Sequence, residues 1–591
     1  MRTKLGYSIG LILVFAFLYT RFINLSWGLP YPFHPDERNM AVALQQLHCS
    51  LPSHGEAFNL KECFNPHFFA YGQFPLYLGF ILISVYHALH TPLNTPLLSE
   101  ITFTEATMSL RLISVFVSAA TLIMGICVVR LLQKKHEGLS LAAIGFSLIF
   151  SPGLIQMAHF GTTESLLAFF YTTLIYLTLY VVTFPNFKRK YVYLAAFICG
   201  LAVATKISAG LFFGLPLMYF VSQIKTEDIK EVFFRVVLFS VVAGFVGVML
   251  SPFNIIDLSD FLSSLHYESS VALGQVDVFY TKQFAGTVPV LFQFIKIFPY
   301  AIGLPVLVGF IGSLFFLPYS KQMNLLRFSF FLYFLPTAYM YTKWSRFMSP
   351  VFPLMIIMAV LLLLKLYEYI LKAKSARQLT YATIIITVAV LYCIQGVAFL
   401  SIYKDEDTRF QTSDWIYKNV ISGTNMLGET ANVVDLPIAT PLYPNPHGLY
   451  RAVPFNFYDL DSNKDLQYQL ADLQTGAEYI LVPSRRIFWD YTCVSVKNGD
   501  ALTRSYLDGY NPNSCSLLEE SYPQLSRYYN GLFSGSFGFI PEKVISSYPH
   551  ISILGYTLQF PDEEAEETWT VFDHPVIRIY KRFPAIHSVS S

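Results

Sequence analysis

Charge is scarce in this sequence. Only 13% of its 591 residues are Asp, Glu, Lys or Arg, against about 25% in soluble domains, so composition excludes a water-soluble enzyme. A net charge of +1 supplies no concentrated basic surface, which removes nucleic acid from the partners. There is no Walker-type phosphate loop, no nucleotide-binding glycine fingerprint and no zinc-type spacing of Cys and His. Neither ATP nor a soluble nucleotide sugar is therefore called for. What fills the chain instead is apolar: 54% hydrophobic residues, with aromatics at 17%, and a mean hydropathy of +0.46. That texture belongs in a bilayer.

From Leu5 to about Leu400 the apolar residues form runs of roughly 18 to 25 residues, the length that crosses a hydrocarbon core. After Tyr403 the sequence turns mixed and polar. Two units follow, a membrane domain over 1–402 and a second domain over 403–591. The N-terminal run lacks a small-residue cleavage site, so it is expected to remain as the first span. Basic residues orient the rest. They fall at 1–4, 130–136, 187–190, 225–235, 321–327 and 365–377, all cytoplasmic if the spans number about eleven. That count requires the short run Phe74–His90 to be an interfacial or re-entrant helix inside a first outer loop, 30–104. The expected fold is a mostly α polytopic protein of the cell membrane, with its N-terminus cytoplasmic and a C-terminal α/β domain outside. Of seven cysteines, Cys127, Cys199 and Cys393 lie in spans. Cys49, Cys63, Cys493 and Cys515 lie in outer segments, two in each, and are expected to form disulfides.

Acidic residues beside a span are costly and usually functional. The first outer loop opens on His34-Pro35-Asp36-Glu37. Pro35 disfavours helix at His34, and Asp36 and Glu37 suit the first turn of a helix running to about Leu47. Two carboxylates there are placed for a general base that must reach a lipid-borne substrate; a plain helix cap is the other reading. A second acid, Glu164, follows His159 in a tight outer turn, either as a site residue or as a carboxylate answering a helix dipole. Lys206 interrupts an apolar run near its outer end, and Arg346 opens an inward-going span. Cations on the outer side are not explained by the positive-inside rule, whereas a phosphate at the outer interface would explain both; snorkelling is the alternative.

These residues, in this order, resemble the class C glycosyltransferases, in the phospholipid-carrier-dependent branch with the protein O-mannosyltransferases and the aminoarabinose transferase of lipid A. The resemblance runs through Arg21-Phe-Ile-Asn, His34 to Glu37, Asn65-Pro-His67 to Tyr71, Phe74 to Tyr77, Ser109-Leu-Arg111, Gly161 to Glu164, Gly200 to Lys206, Ser251-Pro-Phe and Arg346 ahead of Pro350. It implies an inverting transfer of a sugar from a polyprenyl-phosphate carrier to a glycan, lipid or protein acceptor. Asp36 would be the catalytic base with Glu37 supporting it, and Lys206 and Arg346 would hold the leaving phosphate. The family's second acidic site is usually Asp, one methylene shorter than Glu164. No cofactor is required by the sequence; a divalent cation bound at that site would take Glu164 and His159 as ligands.

In the second unit, Thr408–Val420 reads as an amphipathic helix with Phe410, Trp415, Ile416 and Val420 on one side, while 425–428, Tyr479–Val482 and 576–580 read as strands. Its tyrosines, 506, 510, 522, 528 and 529, either stack on sugars or belong to core and surface. Two other classes compete with a transferase. A transporter or flippase would show polar residues near the midplane and an internal repeat, and no convincing repeat is found. A non-catalytic assembly subunit would not need so many spans.

Overall fold

The structure is a computed structural model that describes residues 2–47, 60–90, 100–372, 383, 387, 390–430, 434–446, 448–497 and 504–583. Cys49, Lys374 and Arg377 lie outside the described residues. The membrane part is helical throughout. Five described helices are long and apolar enough to cross a bilayer, or six if the bent pair Glu137–Ile149 and Pro152–His159 forms one span. Four shorter apolar helices accompany them: Ser8–Phe22, Phe74–His90, Ile207–Gln223 and Val390–Lys404. The chain is thus a multi-pass membrane protein, with Phe74–His90 among the helices shorter than a full span.

Local sequence explains the elements that matter for the site. The helix Pro35–Gln45 starts where Pro35 occupies its first turn and the His34 ring caps it, Nδ1 accepting from the Glu37 N–H at 3.3 Å. The 30-residue helix Phe103–Leu132 opens on a capping box between Thr102 and Glu105. Glu105 also meets His87 Nε2 at 2.9 Å, which fastens Phe74–His90 to it. Between Glu137–Ile149 and Pro152–His159 the axis bends by 55°, because Pro152 cannot donate to the ladder. The carbonyls freed by that break accept from Arg21: Leu148 from Nη2 at 3.2 Å and Ile149 from Nη1 at 2.9 Å. A buried guanidinium thus satisfies backbone that lipid could not. The segment Ser345–Leu371 is the central span, 89% of its most apolar window being enclosed by protein.

The C-terminal unit is α/β. Its five-stranded sheet has the order β2 (Arg451–Phe455), β1 (Asn425–Glu429), β3 (Tyr479–Val482), β7 (Ile577–Arg582), β4 (Phe539–Ile545). The β1–β2 and β1–β3 pairs are parallel, the two pairs made by β7 antiparallel. The helix Thr408–Asn419 leads into this sheet, with Ile416 and Val420 in the core and Phe410 and Trp415 packed against it. Tyr510, Tyr528 and Tyr529 are core residues rather than a sugar platform. Cys493 and Cys515 are joined, and Cys63 is disulfide-bonded; Cys127, Cys199 and Cys393 are free thiols.

Candidate active site

The first turn of Pro35–Gln45 sends its two carboxylates to different neighbours. Glu37 is 3% exposed and is held on both oxygens. Arg111 grips it bidentately, Nε to Oε1 and Nη2 to Oε2, each at 2.7 Å, and the Gly161 N–H donates to Oε1 at 2.6 Å. The other Arg111 nitrogen, Nη1, donates to the carbonyls of Leu25 and Trp27 at 2.7 and 2.9 Å, while the guanidinium lies over the Trp27 ring. A side chain at Gly161 would put its Cβ 2.6 Å from Leu110 Cβ and 3.1 Å from Glu37 Oε1, so only glycine lets the turn come this close. Glu37 therefore ties the start of Pro35–Gln45 to the helix Phe103–Leu132 and to the turn at Gly161. Three fixed donors, two on Oε1 and one on Oε2, hold the Glu37 carboxylate in place beside Asp36.

Asp36 faces the other way. Its carboxylate pairs with Arg346 Nη1 and accepts a hydrogen bond from Tyr71. Burial alone would raise this carboxyl, but Arg346, His34, Lys206 and the Tyr71 hydroxyl outweigh it and hold it below the usual carboxylate range. Lys206 Nζ stands 3.6 Å from Glu164 Oε1, 4.8 Å from the Tyr71 ring centre and 5.3 Å from that of Phe347. Arg346 shares Phe347 and stacks on Trp344, 4.6 Å from its centre. Asp36, Arg346, Lys206 and Glu164 thus form one alternating cluster on an aromatic floor. Arg346 Nε is buried and makes no hydrogen bond among the described residues, so the cluster keeps a donor in hand.

Backbone contacts fix the floor. The Gly72 N–H donates to the Thr205 carbonyl at 2.9 Å, and a Cβ at Gly72 would sit 2.0 Å from the Ala204 oxygen. This approach lays Tyr71 beside Lys206. Next along the chain, Gln73 is bound through its N–H to Ser251 Oγ at 2.9 Å and through Oε1 to the Phe253 N–H at 3.0 Å. The sequence motifs at 65–73, 200–206 and 251–253 therefore meet at one place.

His159 does not join them. Its ring is fully buried, stacked 3.8 Å from the Tyr403 ring, with Nδ1 at 2.9 Å from the Ile155 carbonyl and Nε2 at 3.0 Å from that of Ile23. Both nitrogens point at backbone acceptors, so the expected ligation of a cation by Glu164 with His159 is corrected. No group of three or more His, Cys, Asp or Glu with metal-binding geometry occurs among the described residues. His34 is the histidine at the site. It lies between Phe160 and Phe572, each 4.5 Å from its ring centre. Nδ1 accepts from the Glu37 N–H, so the ring proton rests on Nε2; burial lowers the pKa of the ring against the pull of Asp36 and Glu37.

Two contributors were not legible in the sequence. Glu268, on the helix Leu258–Ala272, is an exposed rim residue whose carboxyl is raised by the protein beneath it, outweighing the attraction of Arg346 and Lys206. The other is the acidic stretch Asp562–His574 of the C-terminal unit, which closes over the membrane part. Glu566 receives the Ser345 N–H at 2.9 Å, and the Glu567 N–H donates to Gln283 Oε1 at 3.1 Å. Gln156 Nε2 donates to the Trp569 carbonyl at 2.9 Å and to Asp573 Oδ2 at 3.0 Å. Thr568, Trp569 and Phe572 consequently line a narrow cavity with His34, Glu164 and Arg346. Within the stretch, His574 bridges Asp573 at 2.5 Å and Asp562 at 3.0 Å; burial would lower it, but the two carboxylates raise it to about 10.

No protein-family model matches the sequence and no curated protein matches it. Among solved structures 23 chains match. ArnT from Cupriavidus metallidurans bound to undecaprenyl phosphate is 13% identical, with a TM-score of 0.46 over 81% of this chain and 93% of that one. The Archaeoglobus fulgidus oligosaccharyltransferase is 11% identical, with a TM-score of 0.48 over 81% of this chain and 70% of that one. The arabinofuranosyltransferase AftD from Mycobacteria is 12% identical, with a TM-score of 0.39 over 99% of this chain and 40% of that one. These are likenesses to glycosyltransferases, and no residue's role follows from them.

Proposed function

We propose that this chain is an integral-membrane glycosyltransferase that moves a sugar from a polyprenyl-phosphate carrier to an acceptor on the outer face of the membrane, with inversion. The observation that carries the reading is the convergence of Asp36, Arg346, Lys206 and Glu164, from four separate stretches of chain, in one half-buried cluster. A cluster of this kind can do two things at once. Asp36 takes the proton of an acceptor hydroxyl; the oxygen attacks the anomeric carbon as the bond to the carrier phosphate breaks. The phosphate leaves with charge that Arg346 and Lys206 stabilise.

The Arg346–Asp36 pair gives the two events an order. A carboxylate held below its usual range is a poor base. A donor phosphate competes for Arg346, whose Nε is already without a partner, and each step of that exchange makes Asp36 more basic. His34 Nε2–H and Glu164 line the same cavity and suit sugar hydroxyls. Tyr71 holds Asp36 oriented.

The test supplies the detergent-purified protein with polyprenyl-phosphate-linked sugars one at a time, with candidate acceptors, and measures release of polyprenyl phosphate. Release from one donor, lost in Asp36→Asn, supports the reading. Equal release from Asp36→Asn refutes the base, and no release from any pair of donor and acceptor, by protein that still binds carrier lipid, refutes the transferase.

A further inference from the structure

We propose that the hairpin of the C-terminal unit, β5 (His550–Ile553) and β6 (Tyr556–Gln559), is a lipid-facing ribbon that rests its apolar face and tip in the outer membrane interface. This goes beyond the transferase reading and does not depend on it. Among the described residues the two strands pair only with each other, apart from the five-stranded sheet. A lone two-stranded ribbon is marginal in water, so something beside it must hold it.

The register sorts its side chains. Ile551 faces Leu558 and Ile553 faces Tyr556, while Ser552 faces Thr557 and His550 faces Gln559. Alternation puts the first two pairs on one face and the last two on the other. One face is therefore apolar; the other is polar and closed by a Ser552–Thr557 hydroxyl bond of 2.9 Å. Ile551 at the root is half-buried, but the outer apolar side chains are not covered: Ile553 is 63%, Tyr556 84% and Leu558 57% exposed, and Leu554 at the tip is 94% exposed. No Asp, Glu, Lys or Arg occurs between 550 and 560. The turn needs positive φ at both central positions, and Leu554 adopts 52° beside Gly555 at 86°. Asn, Asp or Gly would serve the backbone better there. A leucine at that φ strains the turn, so its backbone does not account for it.

The root of the ribbon says what covers it. The His550 N–H donates to Ser401 Oγ at 3.0 Å, and its ring lies 3.5 Å from Asp405. Ser401 belongs to the apolar helix Val390–Lys404 that joins the membrane part to the C-terminal unit. A four-residue strand reaches roughly 13 Å, so the tip stays close to where that helix leaves the bilayer. A one-sided apolar ribbon without charge, bearing a tyrosine, suits the boundary between headgroups and acyl chains.

The test uses the full chain in lipid nanodiscs and the fluorescence that Leu554→Trp adds to the wild type. Because the position is exposed, the substitution leaves folding intact. We expect the added emission to be blue-shifted, indifferent to acrylamide, and quenched about twofold or more when the lipids carry bromine on shallow acyl carbons. Tyr468→Trp, on the exposed face of Lys464–Gly476 and 73% exposed, serves as the aqueous reference and stays unquenched by lipid. Emission at 554 that matches this reference overturns the proposal. So does emission shielded from acrylamide yet blind to brominated lipid, which would place the tip against protein, including a second copy of the chain.

Discussion

Replacing Glu37 by Gln removes one charge from an ion pair whose side chains are 2% and 4% exposed. The pair's own attraction is offset by desolvation, but deleting one partner strands the other, and a stranded buried charge costs about 3–5 kcal/mol. The lower end applies here. Arg111 keeps two backbone carbonyls and the Trp27 ring, and a glutamine oxygen still accepts from the Gly161 N–H. About 3 kcal/mol should lower the thermal midpoint in detergent by about 2–4 °C for a chain of this size. The double variant Glu37→Gln/Arg111→Met removes both charges, so its loss should fall short of the two single losses combined by on the order of 2 kcal/mol. Asp36→Asn, at an ion pair with side chains 17% and 21% exposed, should move the midpoint much less while abolishing turnover. Thermal unfolding followed by intrinsic fluorescence, with carrier release on the same samples, reads all three. A Glu37→Gln protein that unfolds with the wild type yet turns nothing over would refute the division of labour, as would strict additivity in the double variant.

Other expectations follow from the same cluster. Asp36→Asn should cost about 10²–10⁴-fold in turnover with little change in carrier binding, read by single-turnover release. Arg346→Met should lose about 10²–10³-fold in turnover, more than Arg346→Lys, because lysine keeps a cation for the phosphate although it lacks the planar bidentate fork; equal losses would remove Arg346 from the phosphate. Stability should depend on His574. Its folded pKa, about 10, lies above the roughly 6.5 of an unfolded histidine, so its contribution is complete below pH 6.5 and is lost as pH rises toward 10. The wild-type midpoint should therefore fall over that window relative to His574→Gln, and parallel curves would refute the assignment.

The membrane part was legible because its cues are local. Run length and charge scarcity announce spans, Pro35 after His34 announces the helix start, and the motifs around Tyr71, Lys206, Ser251 and Arg346 announce themselves by their order along the chain. The strands read at 425–428, 479–482 and 576–580 were visible for the same reason, being short apolar runs bounded by polar turns, and lie at 425–429, 479–482 and 577–582. What escaped was pairing at long range. Asp36 and Glu37 are adjacent and chemically alike, and nothing local distinguishes them. Their surroundings differ only because Arg111, 74 residues on, claims Glu37 and Arg346, 310 residues on, claims Asp36.

His159 failed for the complementary reason. A histidine near an acid reads as a ligand in sequence, yet the carbonyls of Ile23 and Ile155 occupy its nitrogens, and backbone acceptors carry no sequence signature. The acidic run Asp562–His574 looks like a solvated surface, since seven of its thirteen side chains are Asp, Glu or His. Its buried charges are all partnered: Glu567 meets Arg486 and Asp573 meets Gln156 and Tyr403 from other elements, Asp562 meets His574 within the run, and Glu564 stays exposed. A charged segment can enter an interface only as a complete set. The wall that this run lends to the cavity is therefore conditional on all of those partners, and loss of any one should open the site as well as weaken the docking of the C-terminal unit.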